Sequence, residues 1–256
     1  MSDAPFEAGD SVARNLADIR DRIERAARRA RREPSEIRLV AVSKTFPAEA
    51  VVAAIEAGQR DFGENKVQEG LQKMAAVRAQ SDVPVTWHLI GHLQSNKARK
   101  AAAGFHTIHS VDRLDLLLQL DRAAADAGVS PEILVQVDLA KEATKHGAEL
   151  DELRHLIDAT QQCRCVRLTG LMLLPPFHED PEETRPYFRE LAALRATLVG
   201  EGYPAAQLGN LSMGMSHDFE VAIEEGATMV RVGTAIFGRR PSSNLGNSLK
   251  TDDKPG

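Results

Sequence analysis

Residues 207–234 read QLGNLSMGMSHDFEVAIEEGATMVRVGT. Gln207 to Leu211 predicts a strand, His217 to Glu225 a helix, and Met229 to Val232 another strand. Strands that alternate strictly with helices belong to a parallel sheet. Working outward from this unit, the same alternation covers most of the chain. Strands are expected near residues 40, 61, 87, 107, 135, 169, 209 and 230, with a helix after each of the first seven. Helices are expected over Ala48–Ala57, Lys66–Ala79, Ser95–Ala103, Arg113–Ala127, Glu149–Thr160 and Glu182–Val199. Pro47 suits the start of the first of these, and Gly58 and Gly128 suit helix ends. Eight βα units favour closure into a single (β/α)8 TIM barrel over an open sheet. No G-x-G-x-x-G follows any strand, which weakens a dinucleotide-binding alternative.

Ahead of the first strand, Val12, Leu16, Ile19, Ile23 and Ala27 recur at steps of three and four, so an additional helix is expected over 11–32. Its other face carries Arg20, Arg22, Arg25, Arg28, Arg29, Arg31 and Arg32. That face reads as solvated and partly balanced by Asp18, Asp21, Glu24 and Glu33; the competing reading is an anion or nucleic-acid patch. Residues 1–10 read as a flexible tail, 11–239 as one domain, and the polar stretch 240–256 as a disordered tail.

At 256 residues with 43% hydrophobic and 27% charged residues, the chain is balanced as a soluble globular domain. A net charge of −5 argues against a generally nucleic-acid-binding or membrane-binding surface. No apolar run approaches the roughly 20 residues of a membrane span, and MSDAPFEAGD is too acidic for a signal peptide. Cys163 and Cys165 read as reduced thiols, so a cytoplasmic location is expected, and no large exposed apolar stripe argues against a monomer.

Barrel chemistry sits where strands end. Lys44 directly follows the apolar run Ile37–Val42, and loss of solvation at that rim would lower its pKa and free an amine to attack an aldehyde. The plain alternative is a lysine snorkelling at a strand end. At the ends of the seventh and eighth strands, Ser212, Ser216, Gly214, Gly233 and Thr234 offer hydroxyls and close backbone approach to a phosphate, with Ser216 a candidate N-cap. Met213 and Met215 read as loop packing residues. Arg231 alternates with Val230 and Val232 and should point inward, where it needs an acceptor: a ligand's ring nitrogen or carboxylate, or an internal partner such as Glu64 or Asp138. His88 and His92 read as hydrogen-bonding or packing residues rather than metal ligands.

Taken together, LVAVSKT (39–45), FGENKVQE (62–69), WHLIGHLQSNK (87–97), HSVDRL (109–114), LTGLM (168–172) and residues 211–238 resemble the pyridoxal-phosphate homeostasis protein family of the YggS/PROSC type; LLPPF (173–177) looks atypical. The resemblance implies a fold-type III barrel related to the alanine racemase N-terminal domain, with pyridoxal 5'-phosphate (PLP) as cofactor. It implies a Schiff base on Lys44, Asn65 lining the ring, Ser212, Ser216, Gly233 and Thr234 at the phosphate, and Arg231 at the pyridine nitrogen. It further implies a cofactor carrier or buffer with little or no turnover, PLP-dependent apoenzymes as recipients, and no nucleic-acid or membrane partner. The alternative is a PLP-dependent amino-acid racemase or related enzyme. A racemase with this ring partner adds a second domain with an opposing base, for which no room is expected after the eighth strand; on the enzyme alternative a second base would come from a partner subunit or from a side chain such as Lys141 or Lys145.

Overall fold

A computed structural model describes residues 8–140 and 147–238. Eight parallel strands close into a barrel in the order β1 to β8: Arg38–Val42, Asp61–Glu64, Thr86–Leu89, Thr107–Val111, Glu132–Val137, Arg167–Leu173, Asn210–Met215 and Met229–Val232. Closure is direct, with Val40 of β1 opposite Arg231 of β8. Between the strands lie α2 Ala48–Glu56, α3 Val67–Arg78, α4 Ala98–Gly104, α5 Leu114–Ala127, α6 Leu150–Thr160, α7 Arg185–Gly200 and α8 Phe219–Glu224. The leading helix, α1, runs Ala8–Arg29, starting three residues earlier and ending three earlier than its periodicity suggests.

Alternation along each strand sorts two faces. Leu39, Ala41, Phe62, Trp87, Leu89, Val230 and Val232 point outward and pack under the helices in the main core. Leu134, Met172 and Met229 form a separate cluster inside the barrel. Val40 and Val42 also face inward, and the remaining interior is polar, with His88, His109, Gln136, Ser212 and Arg231 all buried. Branched apolar residues usually fill such barrels, and a buried polar interior persists only if its groups are hydrogen-bonded.

Helix α1 docks its stripe of Val12, Leu16, Ile19, Ile23 and Ala27 against α2 and α8, all five residues being buried. Each of the larger side chains contributes roughly 1.5–3 kcal/mol relative to exposure. Its arginines are not simply solvated. Arg22 pairs with Glu220 at 2.8 Å and lies over the Phe219 ring, Arg29 pairs with Glu224 at 2.8 Å, and Arg32 donates to the carbonyls of Ile223 and Ala227. Arg25 and Arg28 pair within the helix with Asp21 and Glu24. The arginine face is therefore a second docking surface, aimed largely at α8.

Candidate functional site

Three strand ends build the rim on the β1, β7 and β8 side. At β1, Ser43-Lys44-Thr45 turns sharply, and Thr45 takes φ +69°. A β-branched residue in that region is strained, so the turn must be held by its surroundings. Helix α3 holds it from two sides: Glu69 accepts from the Thr45 N–H at 2.8 Å, and the Lys73 ammonium donates to the Ser43 carbonyl at 2.6 Å. Lys73 also donates to Glu64 Oε1 at 2.6 Å, and the Ser43 hydroxyl donates to the same oxygen at 2.7 Å. Burial raises the Glu64 pKa, and the hydrogen bond from Lys73 opposes that rise. Lys44 follows Val40 and Val42 in the inward parity of β1 and is half-buried. The sequence pattern does not single out Glu69 and Lys73; their i, i+4 spacing on α3 is the one signal that links them.

Strand β7 begins later and runs further than its sequence suggests, through Met215. Ser212 is therefore not in a loop. It is fully buried in mid-strand, where its hydroxyl accepts from Arg231 Nη1 at 2.6 Å. Met213 is likewise a core residue of the strand, not a loop residue. Ser216 does reach the rim, but it does not cap α8: Asp218 holds the N-cap position. The Ser216 hydroxyl instead accepts from the Gly233 N–H at 3.1 Å, joining the β7 and β8 ends. Gly214 makes this turn at φ +88°, where a Cβ would stand 2.5 Å from that of Ala222. Beyond Gly233 comes α9, Thr234–Phe237, a single turn too short for periodicity to reveal. Barrels commonly bind phosphate with these two loops and a short extra helix.

The two sides of the rim touch. A Cβ on Gly233 would lie 3.1 Å from the carbonyl of Val42, two residues before Lys44. The rings of Phe46 and Phe237 pack at 5.2 Å between centroids. Thr234 is exposed beside them. Asn65, half-buried, directly follows β2 and lies against Gly91, whose Cβ would collide with its carbonyl.

Arg231 points inward as its alternation requires and is buried. Its internal partners are neither Glu64, which is engaged by Lys73, nor Asp138: Nη1 goes to Ser212, and Nη2 donates to the Leu173 carbonyl at 2.9 Å. Burial pushes its pKa down to about 10, while Asp218 opposes the shift. It stays a cation at neutral pH with both of these hydrogen bonds made to neutral oxygens. His88 and His92 separate: His88 is inside the barrel, whereas His92 is partly exposed with Asp112 at 3.7 Å. Lys141 and Lys145 lie outside the described residues. A groove of about 460 Å³, lined by Arg38, His106, Glu132 and Arg167, opens at the other end of the barrel, where the strands begin.

A primary amine, a rim of hydroxyl and backbone donors, and a buried cation lie on three adjacent strands. The donor set suits a phosphorylated aldehyde with a ring acceptor. Gly233 lets the β8 end pack closely against β1 at Val42, and the hydrogen bonds of Arg231 among the described residues go to neutral oxygens. The chain matches the family described as alanine racemase, N-terminal domain, over residues 15–241, and it belongs to that class of barrel. Within that class it belongs with the pyridoxal phosphate homeostasis proteins. It is 42% identical over 230 residues to the protein of that name from Aquifex aeolicus, covering 90% of this chain and 99% of the relative. The Escherichia coli protein of the same name is 42% identical over 234 residues, covering 91% and 99%. Among solved structures, PipY of Synechococcus elongatus with PLP bound aligns with a TM-score of 0.77 at 41% identity, covering 89% of this chain and all of that one. Alanine racemase of Clostridium difficile aligns with a TM-score of 0.68 at 16% identity, over 93% of this chain and 59% of its own, and so shares the fold.

Proposed function

We propose that this protein binds PLP at the β1, β7 and β8 rim and serves PLP homeostasis as a carrier or buffer rather than as an enzyme with strong turnover. The single observation that carries the reading is the placement of Arg231: a buried cation, hydrogen-bonded to neutral oxygens, beside the strand that ends in Lys44. Lys44 would hold the cofactor's aldehyde. The Ser216 and Thr234 hydroxyls would hold its phosphate at the turn where the Gly233 N–H fixes Ser216, and Asn65 would line the ring. Ser212 takes a different role from the phosphate contact expected of it, supporting Arg231 from beneath.

When bound, PLP supplies an electron-withdrawing ring whose pull is strongest when the ring nitrogen is protonated. Arg231 works against that: a guanidinium is a donor only, so it offers N–H to the nitrogen and discourages a proton there. The name shared by the relatives and PipY's bound PLP support the binding function. Recipients are proposed to be PLP-dependent apoenzymes, and the protein to act as a cytoplasmic monomer; no helix among the described residues is long and apolar enough to cross a membrane.

Solvent deuterium exchange at Cα, measured across a panel of amino acids with the PLP-loaded protein, tests the carrier reading. No exchange is expected. Ready exchange with any amino acid would favour the enzyme alternative.

A further inference from the structure

We infer that Asp61, His88, His109 and Ser212 form a one-way hydrogen-bond relay through the barrel interior that positions the Arg231 guanidinium for the cofactor ring. The inference deepens the proposed function and rests on it for the identity of the ring. The chain of contacts itself stands on geometry. Asp61 Oδ1 lies 3.0 Å from His88 Nε2, His88 Nδ1 lies 2.9 Å from His109 Nε2, and His109 Nδ1 lies 2.9 Å from the Ser212 hydroxyl, which accepts from Arg231. Five side chains from five strands thus span the lumen, from the first residue of β2 to the third residue of β8.

Every proton in this chain has one place to go. The Asp61 carboxylate can only accept, so His88 donates from Nε2. Burial lowers the His88 pKa and holds that of His109 well below the usual value, so both rings are neutral and each carries a single N–H. His88 Nδ1 must then accept, which makes His109 Nε2 a donor and His109 Nδ1 an acceptor. The Ser212 hydroxyl accordingly donates to His109 while accepting from Arg231. All four hydrogen bonds point from the cation toward the carboxylate, an order in which each bond polarises the next.

The relay orders Arg231 without setting a hydrogen-bonded carboxylate against it; Asp218 acts on the guanidinium through charge alone. A carboxylate set directly against the guanidinium would compete with a ligand for the same N–H groups. Here the negative end is withdrawn to the barrel floor, where Asp61 is partly exposed and Arg38 Nε stands 3.8 Å from it. Ser212 and the Leu173 carbonyl fix the guanidinium plane from behind. None of the four relay residues touches the cofactor in this reading; they are positioning residues.

The test combines nitrogen-15 NMR of labelled histidine with cofactor affinity. In wild-type protein at neutral pH, His88 and His109 should each be neutral with the proton on Nε2. A proton on Nδ1 of either ring, or an imidazolium, would overturn the relay. Asp61→Ala removes the terminal acceptor and Asp61→Asn restores one. The alanine variant is expected to release the His88 tautomer and weaken PLP binding about tenfold, the scale of one charged hydrogen bond. The asparagine variant should keep the wild-type tautomers and bind within about threefold of wild type. Unchanged affinity in Asp61→Ala would end the positioning role. Expected tautomers in a wild-type protein that takes up no PLP would sink the functional reading and leave the relay supported as a device that orders Arg231.

Discussion

Helix α1 and strand β8 both use arginine, and they use it in opposite ways. On α1 the guanidinium groups of Arg22, Arg25, Arg28 and Arg29 stay partly in water and each meets a carboxylate directly. Their charge is cancelled where it stands, and what remains is a docking contact between α1 and α8. On β8, Arg231 is 3% exposed and its hydrogen bonds end on a hydroxyl and a carbonyl. Its hydrogen-bonded link to a carboxylate runs through three intervening side chains to Asp61, and Asp218 acts on it through charge alone. An arginine neutralised locally is a structural element. An arginine buried with its hydrogen bonds on neutral oxygens is available to a ligand. A count of charged residues sees no difference between the two.

The sharpest contrast to either setting is the buried ion pair behind Lys44. Lys73 is 7% exposed and Glu64 not at all. Removing one member leaves an uncompensated buried charge, so Lys73→Met is expected to cost about 3–5 kcal/mol. Urea denaturation measures it, and adding Glu64→Gln should recover much of the loss. Arg231→Met comes next. It strips the donors from Ser212 and the Leu173 carbonyl, an expected cost of about 1–3 kcal/mol, together with weakened PLP binding. If it bound PLP as wild type does, the distinction between the two arginine settings would fail.

A smaller effect depends on pH. His88 and His109 have lowered pKa values in the folded state, whereas an unfolded histidine titrates near 6.5. Below 6.5 the unfolded chain therefore binds more protons than the folded one, and folding stability must fall as pH drops through that value. Each ring contributes up to about 1.4 kcal/mol per pH unit in that window. Denaturation midpoints at pH 7.5, 6.5 and 5.5 would reveal the slope, and His109→Asn should flatten it. The smallest effect belongs to α1: Arg25→Ala, removing one side of an exposed pair, should change stability by less than about 0.5 kcal/mol. A loss of several kcal/mol there would erase the contrast from the other side.

Much of this was legible in the sequence because the barrel repeats one signal. All eight strands carry an outward apolar face that the helices cover, and the positions of seven could be read from it. The failure at β7 has a physical cause. Its inward residues are Asn210, Ser212 and Gly214, so polar and small side chains interrupt the apolar run and imitate a loop. Lys44, Ser216, Gly233 and Arg231 could be found from their places at strand ends or in strand parity. The relay could not be read this way, because His109 and Ser212 lie 103 residues apart and only barrel closure joins them. The Glu69 and Lys73 clamp on the Lys44 turn was hidden for a related reason: helical spacing places both on one face of α3 but does not say what that face meets.

The central claim is a covalent one, and it can be read directly. PLP-loaded protein treated with borohydride and digested should show the pyridoxyl mass on the peptide containing Lys44, and Lys44→Ala should lose both the label and the visible absorbance band. Wild-type protein carrying no label, or carrying it on a different lysine, would contradict the assignment of this rim as the cofactor site.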